Sequence, residues 1–213
     1  MAIARRLNSG ECGAGYAESV MVLCAAISAL AAELWPGRRK DKARFVEVLI
    51  QYSPKSLDVS RLSLPLLVGG LAEAQFNNEA AVLENKFLRF DRSQVLTGAD
   101  ADHFEGEVLS LCPTLTTEFL RRFSYASLIY EEVRSAYAHQ YSTGERADSW
   151  PTTLRKGVSV SYANWLNDPH RHIHFHFEWV ARVAIEVAKS IDLASPSFPC
   201  IGTNVWWVNG TAP

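Results

Sequence analysis

The stretch EEVRSAYAHQYSTG, residues 131–144, holds Arg134, His139 and Tyr141 in the order R-x4-H-x-Y. A histidine titrates near neutral pH and can take or give a proton. An arginine fork can hold two anionic oxygens at once. Side by side, these groups suit proton transfer next to a phosphate. Ser135 follows the arginine with a hydroxyl that can donate to the same oxygens. The same Arg-to-His spacing recurs at Arg171 and His176, so spacing alone says little. The first copy stands apart in three ways: it lies at the end of the longest helical pattern, a polar residue follows its arginine, and a tyrosine lies two places beyond its histidine.

The element that must position these groups is readable from its apolar seam. Phe119, Phe123, Ala126, Tyr130, Val133 and Tyr137 recur at alternating spacings of four and three. That period predicts one long helix from Thr114 to Tyr141, about seven turns, with Gly144 as its stop. On a straight α-helix five residues turn through about 500°, so Arg134 and His139 point about 140° apart. His139 then lies opposite the seam, while Arg134 and Tyr141 flank it. A loosened last turn, or a second copy across a two-fold axis, would bring the two together.

These residues resemble the HEPN superfamily (higher eukaryotes and prokaryotes nucleotide-binding domains). Its mark is Arg, a polar residue and then His near the end of a bundle helix. The R-x4-H-x-Y form is similar to the toxins of HepT-type toxin–antitoxin pairs. The resemblance implies a dimeric helical bundle and a metal-independent endoribonuclease with no cofactor. In it the ribose 2′-hydroxyl attacks the adjacent phosphate, with Arg134 and His139 as catalytic pair. Ser135 would support the phosphate. Tyr141 would line the pocket and, in the toxin reading, be the residue a partner antitoxin modifies. The alternative is a non-catalytic HEPN-like module that binds RNA or protein. The resemblance covers the motif and the order of long helix, break and final helix.

Two other clusters call for weighing. His170, His172, His174 and His176 alternate, so on a strand they share a face and three of them could gather round a zinc ion. HFHFEW resembles the zinc-bearing strand of α-type carbonic anhydrases, but no later His pair on a partner strand follows. A row of half-exposed histidines, with Ile173, Phe175 and Phe177 facing the core, is the expectation, and metal binding the weaker alternative. The acidic stretch with Asp100, Asp102, His103, Glu105 and Glu107 lacks the twelve-residue calcium-loop order and reads as a solvated loop.

Of the 213 residues, 48% are hydrophobic and 21% charged, enough apolar material for one real core. A net charge of −2 and no long basic run exclude a broad electrostatic track for nucleic acid; the densest basic cluster is GRRKDKAR, residues 37–44. Cys12, Cys24, Cys112 and Cys200 form no C-x2-C pair, and Cys24 falls within an apolar helix. That pattern suits a reduced, cytoplasmic protein better than a disulfide framework. Tyr16, Val20, Leu23, Ile27, Leu30 and Leu34 keep a helical period, interrupted upstream by Glu11 and Glu18, so the first helix reads as mature rather than as a secretory signal, and its apolar run as too short to span a membrane.

The expected architecture is mainly α: a bundle of about five helices with a β-hairpin before the last. Residues 1–195 make a HEPN-like helical domain that includes the hairpin 158–177, and 196–213 a C-terminal tail. LDVSRLSLPLLVGG, with Pro65, reads as a buried connection. Trp206 and Trp207 are expected to anchor the tail to an apolar groove.

Overall fold

The computed structural model describes residues 1–10, 15–36, 41–86, 91, 93–149, 157–164, 168, 170–194 and 207. The chain is mainly helical, with a small antiparallel sheet before the last helix. It begins with α1 (Ala2–Asn8), α2 (Tyr16–Leu34) and α3 (Asp41–Tyr52). A short turn at Lys55–Leu57 leads to α4 (Leu64–Glu73) and α5 (Asn77–Glu84). Next come β1 (Leu96–Thr97), α6 (Gly98–Ala101), α7 (Glu105–Leu111) and α8 (Thr117–Arg121). A continuous helical rod follows: α9 (Tyr125–Leu128), a π-helical segment (Ile129–Ser135) and α10 (Ala136–Gln140). Strands β2 (Val160–Asn164) and β3 (Arg171–Phe175) then precede α11 (Phe177–Ala194). The five longer helical bodies are α2, α3, α4, the rod and α11; the other helices are one or two turns long.

The core sits where α2 meets α3, α11 and the rod. On α2, Val20, Leu23, Cys24, Ile27, Ala31 and Leu34 are buried, the stripe the periodicity predicts apart from half-buried Tyr16 and Leu30. Cys24 is a core residue, and burial pushes its thiol up to about 12. By length and composition α2 as a whole could cross a membrane, contrary to the reading of its apolar run as too short. Here its stripe is taken up by the protein core instead.

The predicted single helix over Thr114–Tyr141 is broken. The chain leaves the helical path at residues 122–124, where backbone groups of Phe123, Tyr125 and Ala126 are used in tertiary bridges. Ser63 N–H donates to the Phe123 carbonyl at 2.9 Å, Tyr125 N–H to Arg61 and Ala126 N–H to Val59, both at 2.9 Å. The Ser124 hydroxyl then accepts from Ser127 N–H at 3.2 Å and caps a new start. The seam still holds in kind: Phe123, Ala126, Val133 and Tyr137 are buried. LDVSRLSLPLLVGG is not a connection throughout. Ser63 caps α4 by accepting from Leu66 N–H at 3.4 Å, and Pro65 lies in the first turn, where its missing N–H costs nothing.

The sheet runs β1-β2-β3, antiparallel, with Leu96 opposite Tyr162 and Tyr162 opposite Ile173. The predicted hairpin 158–177 is therefore shorter and gains a third strand; Phe177 already begins α11. Asn167 and Pro169, in the expected turn, lie outside the described residues, as do Cys12, Cys200, Trp206, Phe87 to Phe90 and nearly all of the tail 196–213. Trp207 is the exception. It packs partly buried on the core, donates its main-chain N–H to Glu47 at 2.7 Å, and lies under the Arg121 guanidinium at 4.8 Å.

The acidic loop is not simply solvated. Asp102, only 4% exposed, ends α6 and turns its carboxylate inward. It accepts from Tyr125 Oη and Tyr162 Oη, each at 2.5 Å, and from Leu64 N–H at 3.0 Å. Four elements thus meet on one carboxyl group. Burial raises its pKa to about 7, with the three hydrogen bonds and Arg61 pulling the other way. The folded value lies above the usual carboxylate value of 3.8, so the native state holds the proton more tightly than the unfolded chain. The stabilisation is present in full below the unfolded value and is lost as pH rises through about 7. In urea titrations, the advantage of wild type over Asp102→Asn should shrink from pH 4 to pH 8, by on the order of 4 kcal/mol. A gap constant across that range would refute the assignment.

Adjacent glycines in α4 give a second test. A Cβ on Gly69 meets nothing within 4 Å, whereas one on Gly70 would fall 2.2 Å from the Phe123 ring. Gly69→Ala should therefore stabilise by about 0.5–1 kcal/mol through helix propensity, and Gly70→Ala should destabilise by about 1–3 kcal/mol through overpacking. Thermal unfolding of the two variants reads both signs.

Candidate functional site

The rod that carries Arg134, Ser135, His139 and Tyr141 starts at the anchored Tyr125. Its first face is buried: Tyr125, Ala126, Leu128, Ile129 and Val133 are all core residues. Arg134 closes the π-helical segment and is half-buried. Its guanidinium lies 5.2 Å from the centre of the Tyr130 ring, and Tyr130 in turn packs on buried Phe45 at 5.4 Å. The charge of Arg134 reaches inward as well, since it acts on the Cys24 thiol of α2. A cation stacked on a ring that is itself packed is held in one orientation.

Ser135 is half-buried at the junction with α10. Beyond it, Ala138, His139, Gln140 and Tyr141 are all exposed. His139 thus stands in solvent on the last helical turn, away from the buried seam, as the wheel geometry predicts. The π turns close i→i+5 bonds and rotate less per residue than α turns. The segment ends at Ser135, however, so the path from Arg134 to His139 runs almost wholly through α10 and the wide angle expected for a straight α-helix stands.

The stop signal differs from the expected one. Tyr141 itself takes the left-handed conformation, φ 57, and donates its N–H to the Tyr137 carbonyl at 3.2 Å. Gly144 serves close approach instead. Its N–H donates to the Glu132 carbonyl at 2.8 Å, and a Cβ there would fall 2.1 Å from the Glu132 carboxylate. The chain is folded back against the rod, where Arg146 Nε donates to buried Glu132 at 2.7 Å and Nη2 to Glu131 at 3.3 Å. Lys42 of α3 pairs with Glu131 as well. So one side of the rod's end is closed by an ion-pair network; Arg134 lies on Tyr130 and His139 is exposed one turn further on, and no contact joins the two within the chain.

The histidine row is distributed among separate partners. His170 is exposed. His172 donates through Nε2 to Asp168 at 2.9 Å. His174 is 5% exposed rather than half-exposed: it packs on Tyr16 at 5.0 Å between ring centres, and its Nδ1 donates to the Asp148 carbonyl at 3.0 Å. His176 meets Ser161 Oγ at 3.1 Å. His172 and His176 are half-exposed and Ile173, Phe175 and Phe177 are buried, as expected; His174 departs from the row because Tyr16 of α2 covers it. Burial lowers the pKa of both inner rings, that of His176 to about 4. Among the described residues no three His, Cys, Asp or Glu side chains gather closely enough to hold a metal ion.

Sequence reasoning missed Asp102. Its only local signal is the Thr97-x-x-Asp100 pattern, in which Asp100 accepts from Thr97 N–H at 3.1 Å and marks a helix start. Nothing local shows that the next aspartate turns inward to two tyrosines far along the chain.

No protein-family model matches this chain, and no curated protein or solved structure is significantly similar to it.

Tyr141 is 87% exposed and strained at φ 57, a combination that packing does not require. Tyr141→Gly should raise stability by about 1 kcal/mol, since glycine carries no left-handed penalty. If the side chain serves a ligand, the same change should weaken RNA binding. Denaturant midpoints and a fluorescent single-stranded RNA titration, run on one preparation, read both effects.

Proposed function

We propose that this chain is an HEPN-like, metal-independent endoribonuclease that works as a cytoplasmic homodimer on single-stranded RNA, in a toxin–antitoxin or defence setting. Arg134 and His139 are the catalytic pair, and Ser135 and Tyr141 support them. The observation that carries this reading is the end of the rod: a solvent-facing His139 off the buried seam, beyond a stacked and oriented Arg134. A core histidine would be packed, and a surface arginine would be loose; neither description fits this pair.

In the proposed reaction the ribose 2′-oxygen attacks the adjacent phosphorus. The bond from phosphorus to the 5′-oxygen breaks, leaving a 2′,3′-cyclic phosphate and a 5′-hydroxyl. His139 takes the 2′-hydroxyl proton, and the His139 copy brought by a two-fold mate delivers one to the leaving oxygen. Arg134 holds the non-bridging oxygens as charge builds on them. Ser135 donates a further hydrogen bond to the same oxygens. No step uses a metal.

A labelled single-stranded RNA incubated with wild type should be cut to products ending in a cyclic phosphate, and cutting should persist in a chelator. Arg134→Ala and His139→Ala should each lower the rate on the order of 10² to 10⁴, with folding intact, because neither side chain fills the core. Arg171→Ala should leave cutting intact. That arginine clamps the Asp91 and Gln94 carbonyls at 3.0 and 2.9 Å and has no part in the chemistry. Light scattering should give the mass of two chains. Equal cleavage by His139→Ala would overturn the assignment. RNA binding without cleavage by wild type would favour the non-catalytic module instead.

A further inference from the structure

A cavity of about 340 Å³ opens between the turn after α3, the β1–α6 junction, the start of β2 and α11. It is separate from the Arg134–His139 end of the rod and shares no residue with it. Two arginines from distant parts of the chain line it, Arg61 before α4 and Arg182 on α11, against one acid, Asp58. Arg61 is fixed in place: it donates to Asp58 at 3.0 Å and to the Asp102 carbonyl at 3.4 Å, and lies 4.7 Å from the centre of the Phe104 ring. Arg182 is exposed and stands where this cavity adjoins a second one of about 220 Å³, lined also by Arg5. Ser56 and Ser159 add hydroxyls to the larger cavity.

One wall is bare backbone. Gly98 lines the cavity directly in front of the Asp102 cluster, and a Cβ there would fall 2.1 Å from Tyr125 Oη. A side chain is therefore excluded at this spot by the buried network behind it, and only Gly98 backbone faces the cavity. Leu57, Val158 and the edge of Trp179 supply an apolar side. Trp179 cannot swing away, because its indole N–H donates to the Leu57 carbonyl at 3.1 Å and its ring stacks on Phe175 at 6.0 Å.

We propose that this cavity binds a small phosphomonoester of about mononucleotide size, with the phosphate at Arg182 and Arg61 and the organic body along the Leu57–Val158–Trp179 side. Two guanidinium groups and two hydroxyls match the oxygens of a phosphate dianion. The volume lies at the lower end of the range of about 300–1,000 Å³ for small-molecule sites, which suits a mononucleotide. The partly apolar lining calls for more than a bare phosphate ion. Arg61 provides a fixed anchor, and exposed Arg182 is free to close on the ligand.

Isothermal titration of the whole chain with adenosine 5′-monophosphate, adenosine and inorganic phosphate tests this. The monophosphate should bind at one site per chain, at least tenfold more tightly than either fragment. Arg182→Gln should weaken it about tenfold or more, because it removes a charge-assisted contact and leaves the core untouched. Ala99→Phe, at an exposed position on the same lining, should block binding by filling the cavity. Circular dichroism should show both variants folded. Equal affinity for adenosine and its monophosphate, unchanged affinity in Arg182→Gln, or no heat from any of the three probes up to millimolar concentration would each overturn the proposal. None of these outcomes depends on whether Arg134 and His139 cut RNA.

Discussion

Much of this structure hangs on one buried carboxyl group. Asp102 joins the first turn of α4, the end of α6, Tyr125 at the start of the rod and Tyr162 in the middle strand. A buried polar group must be satisfied or its full desolvation cost is felt, so each partner is constrained by the others. The segment 58–64 is stitched in beside it. Leu62 N–H donates to the His103 carbonyl at 2.9 Å, and the Val59, Arg61 and Phe123 carbonyls are used in the bridges that break the expected helix. The rod therefore begins where this network lets it begin. Its register, and with it the place of Arg134 and His139, follows.

At the other end of the rod, charges take over from hydrogen-bonded hydroxyls. Glu132 is buried and would be costly there without Arg146, whose Nε and main-chain N–H both donate to it. Glu131 is shared between Lys42 and Arg146. The tight return at Gly144 brings Arg146 into reach, and the left-handed Tyr141 turns the chain toward it. The polar end of the rod is thus split between a closed, ion-paired side and an open side.

The hairpin histidines show how burial decides the role of a motif. Alternation on a strand does place His172, His174 and His176 on a common face, but a common face is a site only if it is left open. Tyr16 of α2 closes it by packing on His174 and by donating its hydroxyl to the Phe175 carbonyl at 2.6 Å. The rings of His174 and His176, whose burial favours the neutral form, then serve as polar packing, while His172 pairs with Asp168.

Local patterns carried a good deal. The mainly helical class, the α2 stripe, the two strands before the last helix and the outward position of His139 all follow from apolar periodicity, because burying a stripe on one face is a requirement that each segment states by itself. The Ser63 cap and Pro65 also announce α4, in a signal that was readable and misread as a connection. Tertiary structure decided the rest. Whether residues 122–124 continue a helix depended on backbone partners about sixty residues away. Whether Asp102 faced water depended on Tyr125 and Tyr162. Which histidines were buried depended on the first long helix reaching the sheet. In each case the energetic term is the satisfaction or desolvation of a polar group by a partner remote in the chain, and no local spacing encodes that partner.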